Sequence, residues 1–126
     1  MKLEHIAFDV PEPEAFIAWW CTHLGFRRSA PGSAFIVDDS GEMCLEIYRT
    51  GATPAAPDYA KANAMSMHIA FVSADVRADA DRLIAAGARL ESIQTEDPNF
   101  HVAILRDPWG VPVQLCRRAK KVFITT

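Results

Sequence analysis

Two histidines occupy the same place in a repeated tetrapeptide, His5-Ile-Ala-Phe8 and His68-Ile-Ala-Phe71. The last strand-like segment of each half carries a polar residue between apolar ones: Glu46 in Cys44-Leu-Glu-Ile-Tyr48 and Gln114 in Val113-Gln-Leu115. Two imidazoles, a carboxylate and an amide oxygen make a mixed nitrogen and oxygen donor set, of a kind that holds a divalent cation. Any one of them buried alone is unfavourable, whereas a shared cation satisfies all four.

The elements that must position these residues follow from periodicity. After His5-Ile-Ala-Phe8 and the segment Asp9 to Pro13, Phe16, Ile17, Trp20 and Leu24 recur at helical spacing and Gly25 stops the pattern. After His68-Ile-Ala-Phe71 and an N-cap signal at Ser73-Ala-Asp75, Val76, Ala80, Leu83 and Ile84 share one helical face, which Gly87 ends. Strand-like segments follow each helix: 27–29, 34–38 and 43–48 in the first half, 89–95, 100–106 and 111–117 in the second. The turns Asp38-Asp-Ser-Gly41 and Asp107-Pro-Trp-Gly110 lead into the closing strands. The fold class is therefore α+β, with two βαβββ modules forming a curved mixed sheet around a central trough, all in a single domain over 1–126. Module one spans about 1–49, a linker without periodicity about 50–63, module two about 64–118 and a tail 119–126. Strand alternation sends Ile6, Phe8, Ile69 and Phe71 beneath the helices, together with Leu45, Ile47, Val113 and Leu115. His5, Glu46, His68 and Gln114 then take the helix-free faces and converge in the trough.

Composition narrows the partners. A chain of 126 residues, half of them hydrophobic, can build its own core. Its 13 basic and 16 acidic residues are interspersed except at Arg117, Arg118, Lys120 and Lys121, so nucleic acid is not an expected partner. That basic group is read as a solvated terminus. No apolar run reaches membrane-spanning length and no leader pattern opens the chain, so no membrane partner and a cytoplasmic location are expected. Cys21, Cys44 and Cys116 are three and unevenly spaced, as free thiols in a reducing compartment would be.

These features resemble the vicinal oxygen chelate superfamily, which includes glyoxalase I, methylmalonyl-CoA epimerase, extradiol dioxygenases, and the fosfomycin and bleomycin resistance proteins. The resemblance is carried by His5-Ile-Ala-Phe-Asp-Val-Pro11, Leu24-Gly-Phe26, Cys44-Leu-Glu-Ile-Tyr48, His68-Ile-Ala-Phe-Val72, Ala86-Gly-Ala88 and Leu105-Arg-Asp-Pro-Trp-Gly110. It implies that His5, Glu46, His68 and Gln114 hold one divalent ion, which could be zinc, nickel, cobalt, iron or manganese. It also implies glyoxalase-like lyase or isomerase chemistry on a small vicinal dioxygen substrate. In that chemistry the metal binds two adjacent oxygens and stabilises an enediolate, while Glu46 acts as the catalytic base. A homodimer is a further implication. The sequence departs from the superfamily's usual final glutamate at Gln114, whose amide carries no charge and takes no proton at neutral pH. This disfavours ring-cleaving dioxygenase and thiol-transferase chemistry, which resemble each other in requiring two histidines and that carboxylate. One glutamate against a divalent ion leaves about +1, which favours an anionic oxygen ligand.

A rival function is sequestration, similar to that of bleomycin-resistance proteins, in which the trough binds an aromatic or cationic compound unchanged. Phe35, Tyr48, Phe100 and Trp109 would line it and Asp38, Asp39, Glu96 and Asp97 would rim it. His101 is a further pocket candidate. Cys44 and Cys116, two residues from Glu46 and Gln114, are read as small apolar lining residues rather than nucleophiles. His23 suits the end of the first helix. Trp20 belongs to the core, and Trp19, about 100° around the helix, to the surface or a subunit contact.

Overall fold

A computed structural model describes residues 1–51 and 56–122. The chain divides into two compact units, Met1–Pro57 and Asp58–Thr126, and the division falls inside the segment read as a linker. Part of that segment, residues 52–55, and the end of the tail, 123–126, lie outside the described residues.

The first unit contains β1 (Ile6–Asp9), α1 (Pro13–Leu24), β2 (Arg27–Arg28), β3 (Phe35–Val37) and β4 (Cys44–Tyr48). The second contains β5 (Ile69–Val72), α2 (Val76–Ala85), β6 (Arg89–Gln94), β7 (Phe100–Arg106) and β8 (Pro112–Arg118), preceded by a short 3-10 turn at Tyr59–Lys61. Among the described residues, that turn is the one regular element inside a stretch expected to have none. Each unit forms a four-stranded mixed sheet, in the orders β1-β4-β3-β2 and β5-β8-β7-β6. In both, the opening strand pairs in parallel with the closing one and the other pairings are antiparallel. The α+β class and the βαβββ plan of each half are thus observed.

Local chemistry accounts for the helices. Pro13 opens α1, where its missing N–H costs nothing, and Gly25 closes it in the left-handed region at φ 75°. Asp75 caps α2 by accepting from the Ala78 N–H at 3.0 Å. On α1, Phe16, Ile17 and Trp20 are buried against the sheet, with the Phe16 and Trp20 rings stacked 5.0 Å apart and Phe26 edge-on to Trp20 at 5.4 Å. On α2, Val76, Ala80 and Leu83 are buried. Ile84, expected on that same face, is 40% exposed.

A second departure concerns the opening strands. Phe8 is buried, but Ile6 is 40% exposed and Ile69 and Phe71 are only half-buried. β1 and β5 are the edge strands of their sheets, so each has a neighbour on one side only. The central strands β4 and β8 instead bury Leu45, Ile47, Val113 and Leu115 to 3% exposure or less.

The turns into the closing strands are built alike. The Asp38 carboxylate accepts from the Glu42 and Met43 N–H groups and the Ser40 hydroxyl, while Asp38 N–H donates to the Met43 carbonyl at 3.0 Å. Asp107 accepts from Trp109 N–H at 2.9 Å and Val111 N–H at 2.8 Å, and its own N–H donates to the Val111 carbonyl at 3.0 Å. Burial works against charge on the Asp38 carboxyl, but the donors from Met43, Ser40, Glu42 and Gly41 outweigh it and hold the group below its ordinary range.

In the second unit the buried side chain of Arg106 ties the approach to β5 onto the sheet. Its guanidinium donates to the carbonyls of Tyr59 at 2.8 Å, Ala62 at 2.7 Å and Gly110 at 3.2 Å, and pairs with Glu91. The 3-10 turn sits so close that a Cβ on Gly110 would lie 2.6 Å from the Ala60 Cβ and 2.7 Å from its backbone. No described helix is long and apolar enough to cross a membrane.

Two outcomes follow. Gly110→Ala, at φ 87° and against backbone, should cost well over 2 kcal/mol, whereas Gly32→Ala, at φ 74° with nothing within 4 Å, should cost only about 1 kcal/mol. Urea unfolding of the two variants measures the gap. Asp38→Ala should cost about 1 kcal/mol at neutral pH, an amount limited by solvent screening. Because the folded-state pKa is depressed, this contribution is present above the unfolded carboxylate range and is lost as pH falls through the depressed value. Thermal melts of wild type and variant should therefore converge on acidification.

Candidate functional site

In the first unit, alternation and register define the face away from α1. Glu46 is opposite Ala7 on β1 and Phe35 on β3, while its neighbours Leu45 and Ile47 point under the helix. His5, immediately before β1, is half-buried, and its Nε2 lies 3.3 Å from Glu46 Oε2. A cation held by an imidazole nitrogen and a carboxylate oxygen at about 2.0–2.1 Å in tetrahedral geometry sets those atoms about 3.3 Å apart. The pair is therefore spaced as two ligands of one ion would be. His5 Nδ1 lies 3.1 Å from Glu4 Oε2, and Phe35 packs edge-on against the imidazole at 5.3 Å between centroids. With the ring proton on Nδ1 and shared with Glu4, a cation between Nε2 and Glu46 would be bound by the Nε2 lone pair. Tyr48 and Cys44 flank Glu46 on the same face, both half-buried.

Cys44 is a poor nucleophile in this setting. Burial pushes its thiol pKa up, and the negative charges of Glu4 and Glu46 push it further in the same direction. Cys21 is also raised by burial, with Arg28 acting in the opposite sense. All three cysteines are free thiols.

In the second unit, Gln114 is opposite Ala70 on β5 and Ile104 on β7. It is 9% exposed, and its amide makes no hydrogen bond among the described residues. His68, immediately before β5, is half-buried, and its Nδ1 is 2.8 Å from the Ala64 carbonyl. A carbonyl only accepts, so Nδ1 carries the proton and the neutral ring keeps a lone pair on Nε2. The tautomer matches that of a metal-ligating histidine oriented by a backbone carbonyl.

The pocket candidates of this unit do not stay together. Cys116 and Phe100 share the face of Gln114, since Cys116 is opposite Val102 and Phe100 opposite Arg118. His101 is opposite Arg117 and lies on the other face with Ala103 and Leu115, which removes it as a companion of Gln114. Trp109 is half-buried in the turn beyond Arg106, at the far end of β7 from Phe100. Seven residues of strand separate those two aromatics by about 20 Å. Among the described residues, no group of three or more His, Cys, Asp and Glu side chains is placed to hold a metal ion.

Sequence reasoning missed the groups that orient the two histidines. Glu4 precedes β1 and so falls outside any strand alternation, and the Ala64 contact uses a backbone carbonyl that no side-chain pattern signals.

Comparison with known proteins places the architecture. The chain resembles a glyoxalase family protein from Bacillus cereus, with 15% identity, 95% of each chain covered and a TM-score of 0.77. It also resembles TnmS3, an antibiotic binding protein from Streptomyces sp. CB03234, with 19% identity, 94% of this chain and 99% of that one covered, and a TM-score of 0.66. A glyoxalase/bleomycin resistance protein from the same Streptomyces matches at 19% identity over 89% of this chain and 96% of its own, with a TM-score of 0.61. No curated protein matches. At these identities the likeness establishes fold alone, but the sequence model of the Glyoxalase-like domain matches residues 5–116. With strand order, paired modules and family match in agreement, the chain belongs to the glyoxalase-like domain family, within the vicinal oxygen chelate superfamily.

Proposed function

We propose that the protein is a divalent-metal-dependent lyase or isomerase of the glyoxalase type, acting on a small substrate with two adjacent oxygens. The observation that carries this reading is the 3.3 Å separation of His5 Nε2 and Glu46 Oε2. His68, whose Nδ1 meets the Ala64 carbonyl, and Gln114, whose amide makes no hydrogen bond among the described residues, are the matched donors of the second unit. Two imidazoles, one carboxylate and one neutral oxygen are donor types that fit zinc, nickel, cobalt, iron or manganese.

When bound, such an ion supplies Lewis acidity to a substrate carbonyl and its neighbouring oxygen. The chain's own residues supply the rest. Glu46 takes a proton from the hydroxyl-bearing carbon beside the carbonyl and returns it to the former carbonyl carbon, while the hydroxyl proton passes to the former carbonyl oxygen, so that an isomerisation is balanced in atoms and charge. The amide oxygen of Gln114 can ligate a cation but cannot take up a proton at neutral pH, so it offers no second base. The Phe35 edge and the Glu4 carboxylate fix the ring of His5, and Tyr48 presents an aromatic wall beside Glu46.

A second reading, sequestration without chemistry, is supported by the half-buried aromatics Phe35 and Tyr48 on the face of Glu46 and by fold likeness to an antibiotic binding protein. It requires neither metal nor proton transfer.

Elemental analysis of the purified protein separates the two. About one divalent ion per chain is expected, lost in His5→Ala and in His68→Ala. Glu46→Gln should slow the conversion of a vicinal dioxygen substrate by about 10² to 10⁴. A protein free of divalent metal, or unchanged metal content in His5→Ala or Glu46→Ala, overturns the catalytic reading. A metal-free protein that binds a ligand stoichiometrically and leaves it unchanged establishes sequestration.

A further inference from the structure

At the end of the second sheet, a cleft of about 360 Å³ is lined by Asn99, Phe100, Arg118, Ala119 and Lys120. Its floor is a cross-strand pair: Phe100 opens β7, Arg118 closes β8, and the two are direct partners in the ladder. The Arg118 guanidinium carbon lies 4.5 Å from the centroid of the Phe100 ring. One face of the cation is therefore held on the aromatic surface, which restrains a side chain that would otherwise sample many rotamers. Its edge N–H donors remain available in a planar fork suited to two oxygens of a carboxylate or phosphate.

The charges of this cleft are not neutralised internally. Among the described residues, the ion pairs use Arg28, Lys61, Arg82, Arg106 and His5, never Arg118 or Lys120. Neither cation has any further partner among the described residues. The nearest acidic residue along the chain, Asp97, accepts from the Asn99 N–H at 2.8 Å, and the Ala119 N–H donates to the Asn99 carbonyl at 2.9 Å, so hydrogen bonds shape the rim. Two unpaired cations stand together here in a chain of net charge −3. The volume is of small-molecule size.

We propose that this cleft is a binding site for an anionic group, carboxylate or phosphate, borne by the protein's small-molecule ligand, with Arg118 as the principal anchor and Lys120 as the second charge. Register places Arg118 on the same face of β8 as Gln114 and four residues further along, about 13 Å away. A ligand whose reacting end lies at Gln114 can thus extend along the strand to set its anionic end on Arg118. That alignment rests on the function proposed above, whereas the anion site itself requires no metal.

The test uses the full-length protein freed of metal by chelation, followed by amide NMR during titration with inorganic phosphate and, separately, with succinate at low salt. Saturable shifts are expected at Asn99, Phe100 and residues 118–120, with affinity falling as salt rises. The stronger of the two anions indicates phosphate or carboxylate as the natural group. Arg118→Ala should weaken binding at least about tenfold, and Arg118→Lys should fall between it and wild type, because charge is kept while the stacked fork is lost. Unchanged resonances elsewhere confirm that the variants are folded. No saturable shift at these amides, or wild-type affinity in Arg118→Ala, overturns the proposal. So does a short single-stranded oligonucleotide that saturates them at lower concentration than either small anion. Metal content measured on Arg118→Ala should equal that of wild type, which keeps failure here distinct from failure of the metal site.

Discussion

The parallel pairing of each opening strand with its closing strand is the constraint on which everything else in this protein depends. A parallel pair cannot be joined by a tight turn, so a long crossover must intervene, and in both units that crossover consists of a helix and two further strands. The same pairing brings residues some forty apart in sequence side by side. His5 precedes a strand in register with Leu45 and Glu46, and His68 precedes one in register with Val113 and Gln114. Because a helix covers only one face of each sheet, polar residues at alternate positions gather on the other. Chemistry in this fold is thus a by-product of connectivity.

Much of this was legible in the sequence because the repeat is nearly literal. The second His-Ile-Ala-Phe announces a second opening strand, and the Asp-to-Gly turns at 38–41 and 107–110 announce two closing strands. Strand alternation also assigned Cys44, Glu46 and Tyr48 to one face and Gln114 and Cys116 to another, as the register places them. What alternation could not supply was phase in a strand of mixed character. In β7, His101 follows the aromatic Phe100, and only its ladder partner Arg117 shows that it faces away from Gln114.

Burial was the other quantity that pattern alone misjudged. Ile6 and Phe8 look equivalent in sequence, yet Phe8 is buried while Ile6, the first residue of the edge strand β1, is 40% exposed. The groups that set the imidazole tautomers were equally hidden. A backbone carbonyl at Ala64 and a carboxylate at the adjacent Glu4 act through proximity created by folding, and neither lies in a strand that a periodic reading inspects.

The Arg106 clamp also decides where the chain tolerates change. By gripping the carbonyls of Tyr59 and Ala62, it makes the approach to His68 part of the second unit rather than of the connection. Length variation is therefore confined by construction to the few residues before Asp58. A residue inserted between Ala62 and His68 would shift the histidine out of phase with its strand, whereas one inserted upstream of the clamp leaves that phase untouched.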